Sequence, residues 1–287
     1  MEPQSRVEIE NDVVFGCVDG RELCCDVYRP VARAERLPGL LLLHGGGWRR
    51  GSRAAMRGFG LRVGREGFVC VASEYRLAGE SPWPAQLDDV QSALRFMHTN
   101  ADRLGIDPDR IAIQGNSAGA HLALMAAGTQ QHPELGPPVG ERVAIAAVVA
   151  IYPPTLLYTS AERPSGGVPA IALLGQDATP EQARAASPRS HISQAFPPTF
   201  LVHGSADQLV PPSASEHMCT DLRRAGVDVE YKVFSALPHG FANVPEYQPL
   251  LAKEITSFLS RALYPERRDA LFAARRRAYA EATAAAD

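Results

Sequence analysis

From residue 40 onward the chain repeats one pattern: a short apolar run with no polar alternation, followed by a longer segment with helical periodicity. A strand with water on one face alternates apolar and polar residues. The runs at 40–43, 68–73, 110–114, 143–152 and 199–203 do not, so they predict strands covered on both faces, and 229–234 is the sixth strand candidate. Covered strands joined by crossover helices build a mostly parallel wound sheet. The intervening segments fit that role. Leu87, Val90, Leu94 and Met97 form one stripe within 85–100, and Ala214, Met218, Leu222 and Ala225 form another within 213–225, closed by Gly226. Ahead of them, 7–17 and 22–28 flank the turn signal Asp19-Gly20 and read as an antiparallel hairpin. The expected fold class is therefore α/β, with six strands in a mostly parallel sheet behind the hairpin.

At 287 residues the chain is long enough for one large α/β domain or two small ones. The motif positions below favour a single domain over 1–263, with a tail at 264–287. Between 153 and 197 the rhythm breaks. This stretch is rich in Pro, Ser, Gly and Ala, with one short helix expected near 180–186, and its length suits a lid-like insert. In the tail, Leu271, Phe272 and Tyr279 make a weak apolar stripe that offers contact with the domain or with a second copy, hence a homodimer through the tail.

With 29 basic against 32 acidic residues, the formal charge is −3 and there is no basic footprint for nucleic acid. The start, MEPQSRVEIEND, lacks the basic and apolar parts of an export signal, and no apolar run approaches the roughly 20 residues that span a bilayer. Five cysteines, an odd number without C-x-x-C spacing, suggest neither a disulfide framework nor a zinc site. They read as buried free thiols of a cytoplasmic protein, with no metal.

The chemistry is concentrated at strand ends. The 110–114 run enters Gly115-Asn116-Ser117-Ala118-Gly119 and then a helix-forming stretch, which is G-x-S-x-G in a strand–turn–helix context. Ser117 is the candidate nucleophile. The first core strand ends in His44-Gly45-Gly46-Gly47-Trp48, where glycines let backbone amides approach a developing oxyanion; Gly46, Gly47 and Ala118 are the candidate donors. A phosphate cradle would need a following Lys-Ser/Thr or G-x-G-x-x-G, and neither is present.

A serine nucleophile needs a base, and the base needs an acid to orient it. Of eight histidines, His239 sits after the last strand and before the final helix, which favours it as base. His121 is expected to pack beside Ser117, His44 to brace the glycine loop, and His203 simply ends a strand. His98, His132, His191 and His217 read as surface residues. Asp207 follows the 199–203 strand and is the candidate acid, with Asp177 as runner-up. The order Ser117, Asp207, His239 is that of α/β-hydrolases. Trp48, Trp83, Tyr152, Tyr158 and Phe241 lie on or near loops that would wall a pocket, although aromatics serve the core more often.

Taken together, HGGGW, SEYRLA at 73–78, WPAQLDD at 83–89, GNSAG, HGSAD and the final His-Gly-Phe resemble the hormone-sensitive-lipase-like esterases, in particular their short-capped branch related to feruloyl and acetyl-xylan esterases. The resemblance spans roughly 7–263. It implies an α/β-hydrolase fold of about eight strands and hydrolysis of small-molecule carboxylic esters of small to medium acyl length, through Ser117, Asp207 and His239, without cofactor. An amidase, arylformamidase or peptidase-like activity on the same residues is the alternative. Departures are Asn116 and Ala120 where many members have Asp and Gly, and Gly79 where Pro is usual. There is also no room for a large cap before His44, so the 153–197 insert should control access.

Overall fold

The computed structural model describes residues 6–31, 36–130, 132, 135, 142–159 and 164–284. The expected hairpin opens it. β1 (Val7–Val18) and β2 (Arg21–Pro30) run antiparallel around Asp19 and Gly20, both at positive φ as a tight two-residue turn requires. β3 (Leu37–Leu43) leads through the glycine loop to α1 (Arg57–Arg65) and β4 (Val69–Ser73). α2 (Ala85–Thr99) and the single turn α3 (Ala101–Leu104) return the chain to β5 (Ile106–Asn116), which passes into α4 (Ala118–Gly128). After β6 (Ala147–Ile151) come β7 (Leu156–Tyr158), β8 (Gly167–Pro169), α5 (Ile171–Leu174) and α6 (Pro180–Ala185). β9 (Thr199–Gly204), α7 (Ser213–Arg224), β10 (Val229–Phe234), α8 (Gln248–Leu263) and α9 (Pro265–Ala284) follow.

Eight strands form one sheet in the order β1-β2-β4-β3-β5-β6-β9-β10, parallel from β4 to β10 and antiparallel at the hairpin. This is the α/β-hydrolase arrangement expected. The missing alternation has a direct cause. In β3, Leu41 and Leu43 pack with Ile111, Ile113 and the residues of α2 and α4 on one face. Leu40 and Leu42 pack with Ala112, with Phe59 and Val63 of α1, and with Ile255 and Leu259 of α8 on the other. Each such leucine, fully buried, contributes roughly 1.5–3 kcal/mol relative to exposure.

Strand order reverses at β3, because β4 lies on one side of it and β5 on the other. Loops leaving neighbouring strands at such a point diverge and open a crevice at the carboxyl edge. The register pairs Leu43 with Gly115, so the loop after β3 and the turn after β5 meet there.

Four expectations need correction. The 143–152 run forms a ladder only over Ala147–Ile151; Val143 and Ile145 are buried in the core, so their apolar character reflects packing rather than pairing. In the 153–197 insert, β7 and β8 form a separate parallel pair where no strand was expected, while the short helix expected near 180–186 is α6, which starts on a capping box between Thr179 and Gln182. Of the five unpaired cysteines, Cys17 is exposed and Cys24 half-buried, so only Cys25, Cys70 and Cys219 are buried. Finally, His132, His191 and His217 are half-buried, while His98 is exposed as expected. Residues 160–163 of the insert and 285–287 of the tail lie outside the described residues. α9 leaves Leu271 and Phe272 exposed, and among the described residues no helix is long and apolar enough to cross a membrane.

Candidate active site

Ser117 occupies the turn between β5 and α4 at φ 52° and ψ −117°, a strained conformation for a residue with a side chain. Two glycines make the turn feasible. A Cβ on Gly115 would lie 2.1 Å from the backbone of Gly119, and one on Gly119 would lie 2.4 Å from the carbonyl oxygen of Leu43. The Ser117 N–H donates to Ile151 O at 2.9 Å, anchoring the turn to β6. α4 is apolar all round and buried on every side, which fixes the axis on which the serine is presented. Its first residue, Ala118, has no intrahelical acceptor for its N–H, so that donor and the positive end of the helix dipole face the Ser117 side.

The glycine loop lies against this turn. A Cβ on Gly45 would stand 3.2 Å from the Ser117 Cβ. Gly46, at φ 126°, turns so sharply that a Cβ there would reach 2.0 Å from Arg50 O, and its carbonyl accepts from the N–H groups of Arg49 and Arg50. Gly47, at φ 60°, faces open space. His44 braces the loop as expected: its ring stacks on Tyr75 at 4.4 Å, and the Tyr75 hydroxyl donates to the His44 carbonyl at 2.9 Å.

His239 follows β10 and reaches back over the sheet edge. Its Nε2 lies 2.9 Å from Ser117 Oγ and its Nδ1 2.6 Å from Asp207 Oδ2. Tyr152, just after β6 at φ 42°, places its ring 4.5 Å from the imidazole. Asp207 ends the turn after β9, where its Oδ1 accepts the N–H groups of Leu209 and Val210, both at 2.9 Å. Burial alone would raise the Asp207 carboxyl; the hydrogen bonds from His203, His239 and Val210 reverse that and hold it well below the usual carboxylate range. The structure thus brings Ser117, His239 and Asp207 into one hydrogen-bonded line. The runner-up, Asp177, is exposed on the insert.

Two features escaped the sequence reading. His121, one turn along α4, does more than pack. It accepts from Trp48 Nε1 at 3.3 Å and donates from Nε2 to Ala186 O at 2.7 Å, linking the glycine loop, the nucleophile helix and the insert. Burial pushes its imidazole down to about 4. Trp83 packs edge-on against the same ring. Trp48, Tyr152 and Phe241 are buried, whereas Trp83 and Tyr158 are half-buried. The second feature is His203, which is fully buried beside Asp207; the only available signal was the i,i+4 spacing within HGSAD. The SEYRLA and WPAQLDD motifs meet in a clamp, with Arg76 holding the buried Asp89 through its backbone N–H and its guanidinium at 2.7–3.1 Å.

Comparison with known proteins gives a consistent picture. Residues 25–222 match the BD-FAE family. Esterase LipQ of Mycobacterium tuberculosis is 32% identical over 90% of this chain and 63% of its own length. Carboxylesterase NlhH of the same species is 31% identical over 88% of this chain and 80% of its own length. A thermophilic esterase from Thermogutta terrifontis, solved with butyrate bound, superposes with a TM-score of 0.71 at 27% identity, covering 88% of this chain and 93% of that one. The chain spans between about half and two-thirds of the length of LipQ, LipC and LipM.

Proposed function

We propose, for a chain that belongs to the BD-FAE family of α/β-hydrolases, that it is a serine carboxylic-ester hydrolase acting through an acyl-enzyme on Ser117. The observation that carries this reading is the line from Ser117 Oγ through His239 to Asp207, at 2.9 and 2.6 Å. His239 Nε2 removes the hydroxyl proton as Oγ attacks the ester carbonyl. The N–H groups of Gly46, Gly47 and Ala118 receive the oxyanion. Collapse breaks the bond to the alcohol, which leaves with the proton from His239. Water then attacks the acyl-enzyme, His239 takes its proton and returns it to Ser117 Oγ, and the carboxylic acid departs. Asp207, acceptor-only when ionised, holds Nδ1–H and so keeps Nε2 free as base.

Small to medium acyl chains are the proposed substrates, in line with the butyrate in the T. terrifontis esterase. A cytoplasmic site of action is part of the same reading, supported by five unpaired cysteines. The test is a series of p-nitrophenyl esters from acetate to a long chain, with a feruloyl ester and matched anilides added. Hydrolysis should peak at short acyl chains and fall at least tenfold on the anilides. In Ser117→Ala, kcat should fall by roughly 10⁴–10⁶. Near wild-type turnover in that variant would overturn the reading, and faster anilide than ester cleavage would make the protein an amidase.

A further inference from the structure

His203 ends β9 inside the protein, with its side chain and that of Asp207 both fully buried. Its Nε2 faces two acceptors, Asp207 Oδ2 at 3.3 Å and Val210 O at 3.0 Å. Neither a carbonyl oxygen nor an ionised carboxylate can donate, so Nε2 must carry the hydrogen. Nδ1 lies 2.7 Å from the hydroxyl of Ser215, in the first turn of α7. With Nε2 protonated, a neutral ring presents a lone pair at Nδ1, and the Ser215 hydroxyl donates to it. Both nitrogens are therefore assigned: the acceptors at Nε2 fix the tautomer, and Ser215 of α7 holds the ring through Nδ1.

On the carboxylate the consequence is a full set of donors. Oδ1 takes the N–H groups of Leu209 and Val210, and Oδ2 takes the His239 N–H at 2.6 Å and the longer approach of His203 Nε2–H at 3.3 Å, an N–H that His203 divides with Val210 O. Tyr152 also faces the cluster, its ring against His239.

We propose that His203 forms a second arm on Asp207, buttressed by Ser215: its Nε2–H competes with His239 for Oδ2, and the Ser215 hydroxyl bonded to Nδ1 holds the ring in the position from which it does so. The pair thereby sets how strongly the acid holds the base. His203 touches no substrate and is a positioning residue. The inference rests on the proposed Ser117–His239–Asp207 chemistry. An oxygen already accepting one hydrogen bond carries less free charge for a second, so the arm weakens the stabilisation of the His239 imidazolium.

The test is the pH profile of kcat/KM on p-nitrophenyl butyrate for Ser215→Ala, His203→Asn and His203→Gln, with thermal unfolding of each. In parallel, the rate of Ser117 phosphonylation is followed against pH. Glutamine can place an N–H where Nε2 was, whereas the shorter asparagine cannot reach Asp207. Ser215→Ala and His203→Asn should move the acid limb upward by about 0.5–1 pH unit in both readouts, and His203→Gln should hold it near the wild-type position. An acid limb that stays put or moves down in Ser215→Ala, with activity tracking only the melting temperature, overturns the arm. Should His203→Asn not fold, Ser215→Ala against His203→Gln still decides. Absence of phosphonylation in the wild type would instead overturn the function itself, so the two failures are distinct.

Discussion

The loops at the carboxyl edge of the sheet and the 153–197 insert are held by opposite means. At the edge, backbone touches backbone: the turn around Ser117 tolerates no side chain at 115 or 119, because the nearest obstacles are main-chain atoms of Gly119 and Leu43. In the insert, side chains reach for backbone. Ser187 Oγ accepts the Leu157 N–H and donates to Ala183 O, Thr155 Oγ1 donates to Ala214 O, and Arg189 pairs with Asp221 at 2.7 Å. A region built on main-chain contact has one geometry and fails when that geometry is altered. A region strapped by several side chains loses one strap at a time.

The largest effect should follow from the edge. Asp207→Asn is expected to lower kcat by about 10⁴, since an amide favours the wrong His239 tautomer, with little change in KM for a short ester. A loss below tenfold would remove Asp207 from its role. Next comes Gly119→Ala. The added methyl must displace the end of β3 or the start of α4, and denaturant unfolding should show a loss of about 3–5 kcal/mol together with failure to acylate. Unchanged stability would mean that the close approach is not required.

At the junction of the two regions, His121→Leu leaves the Trp48 indole N–H and the Ala186 carbonyl buried without partners. The expected cost is about 2–4 kcal/mol. This site also carries a pH signature. Burial depresses the folded imidazole to about 4 from 6.5, so between those values the unfolded chain takes up a proton that the folded chain refuses. Stability from this group is complete above about pH 6.5, declines as pH falls, and is exhausted near 4, for a total of roughly 3 kcal/mol. The slope of unfolding free energy between pH 6.5 and 4 should flatten in His121→Leu; an unchanged slope would assign it to other groups. The smallest effect belongs to the insert. Arg189→Ala removes a partly exposed ion pair and should cost at most about 1 kcal/mol. A larger loss would show that the insert is as tightly determined as the edge.

The same contrast decides what was readable in advance. β3 and β5 were legible because double-sided burial leaves an unbroken apolar run, and the 115–119 turn because two glycines flank a serine between strand and helix. Asp207 could be singled out because it follows such a strand, and His239 because it lies between the last strand and the final helix. The insert was not legible: β7 and β8 are three residues each, too short to show a period, and the Ser187 hydroxyl that takes the Leu157 N–H comes from thirty residues further on. Nor were the roles of His121 and His203. Their ring partners, Trp48, Ala186 and Ser215, come together only in the folded chain, and a histidine at a strand end or in an apolar helix looks the same with or without them.

The most direct test of the central claim is covalent. The wild-type protein is treated with a fluorophosphonate and digested, and the labelled peptide is identified by mass spectrometry while residual ester hydrolysis is followed. One equivalent of label on Ser117, with activity lost in proportion and no labelling of Ser117→Ala, is the predicted result. Label on another residue, or hydrolysis that survives complete labelling, would contradict it.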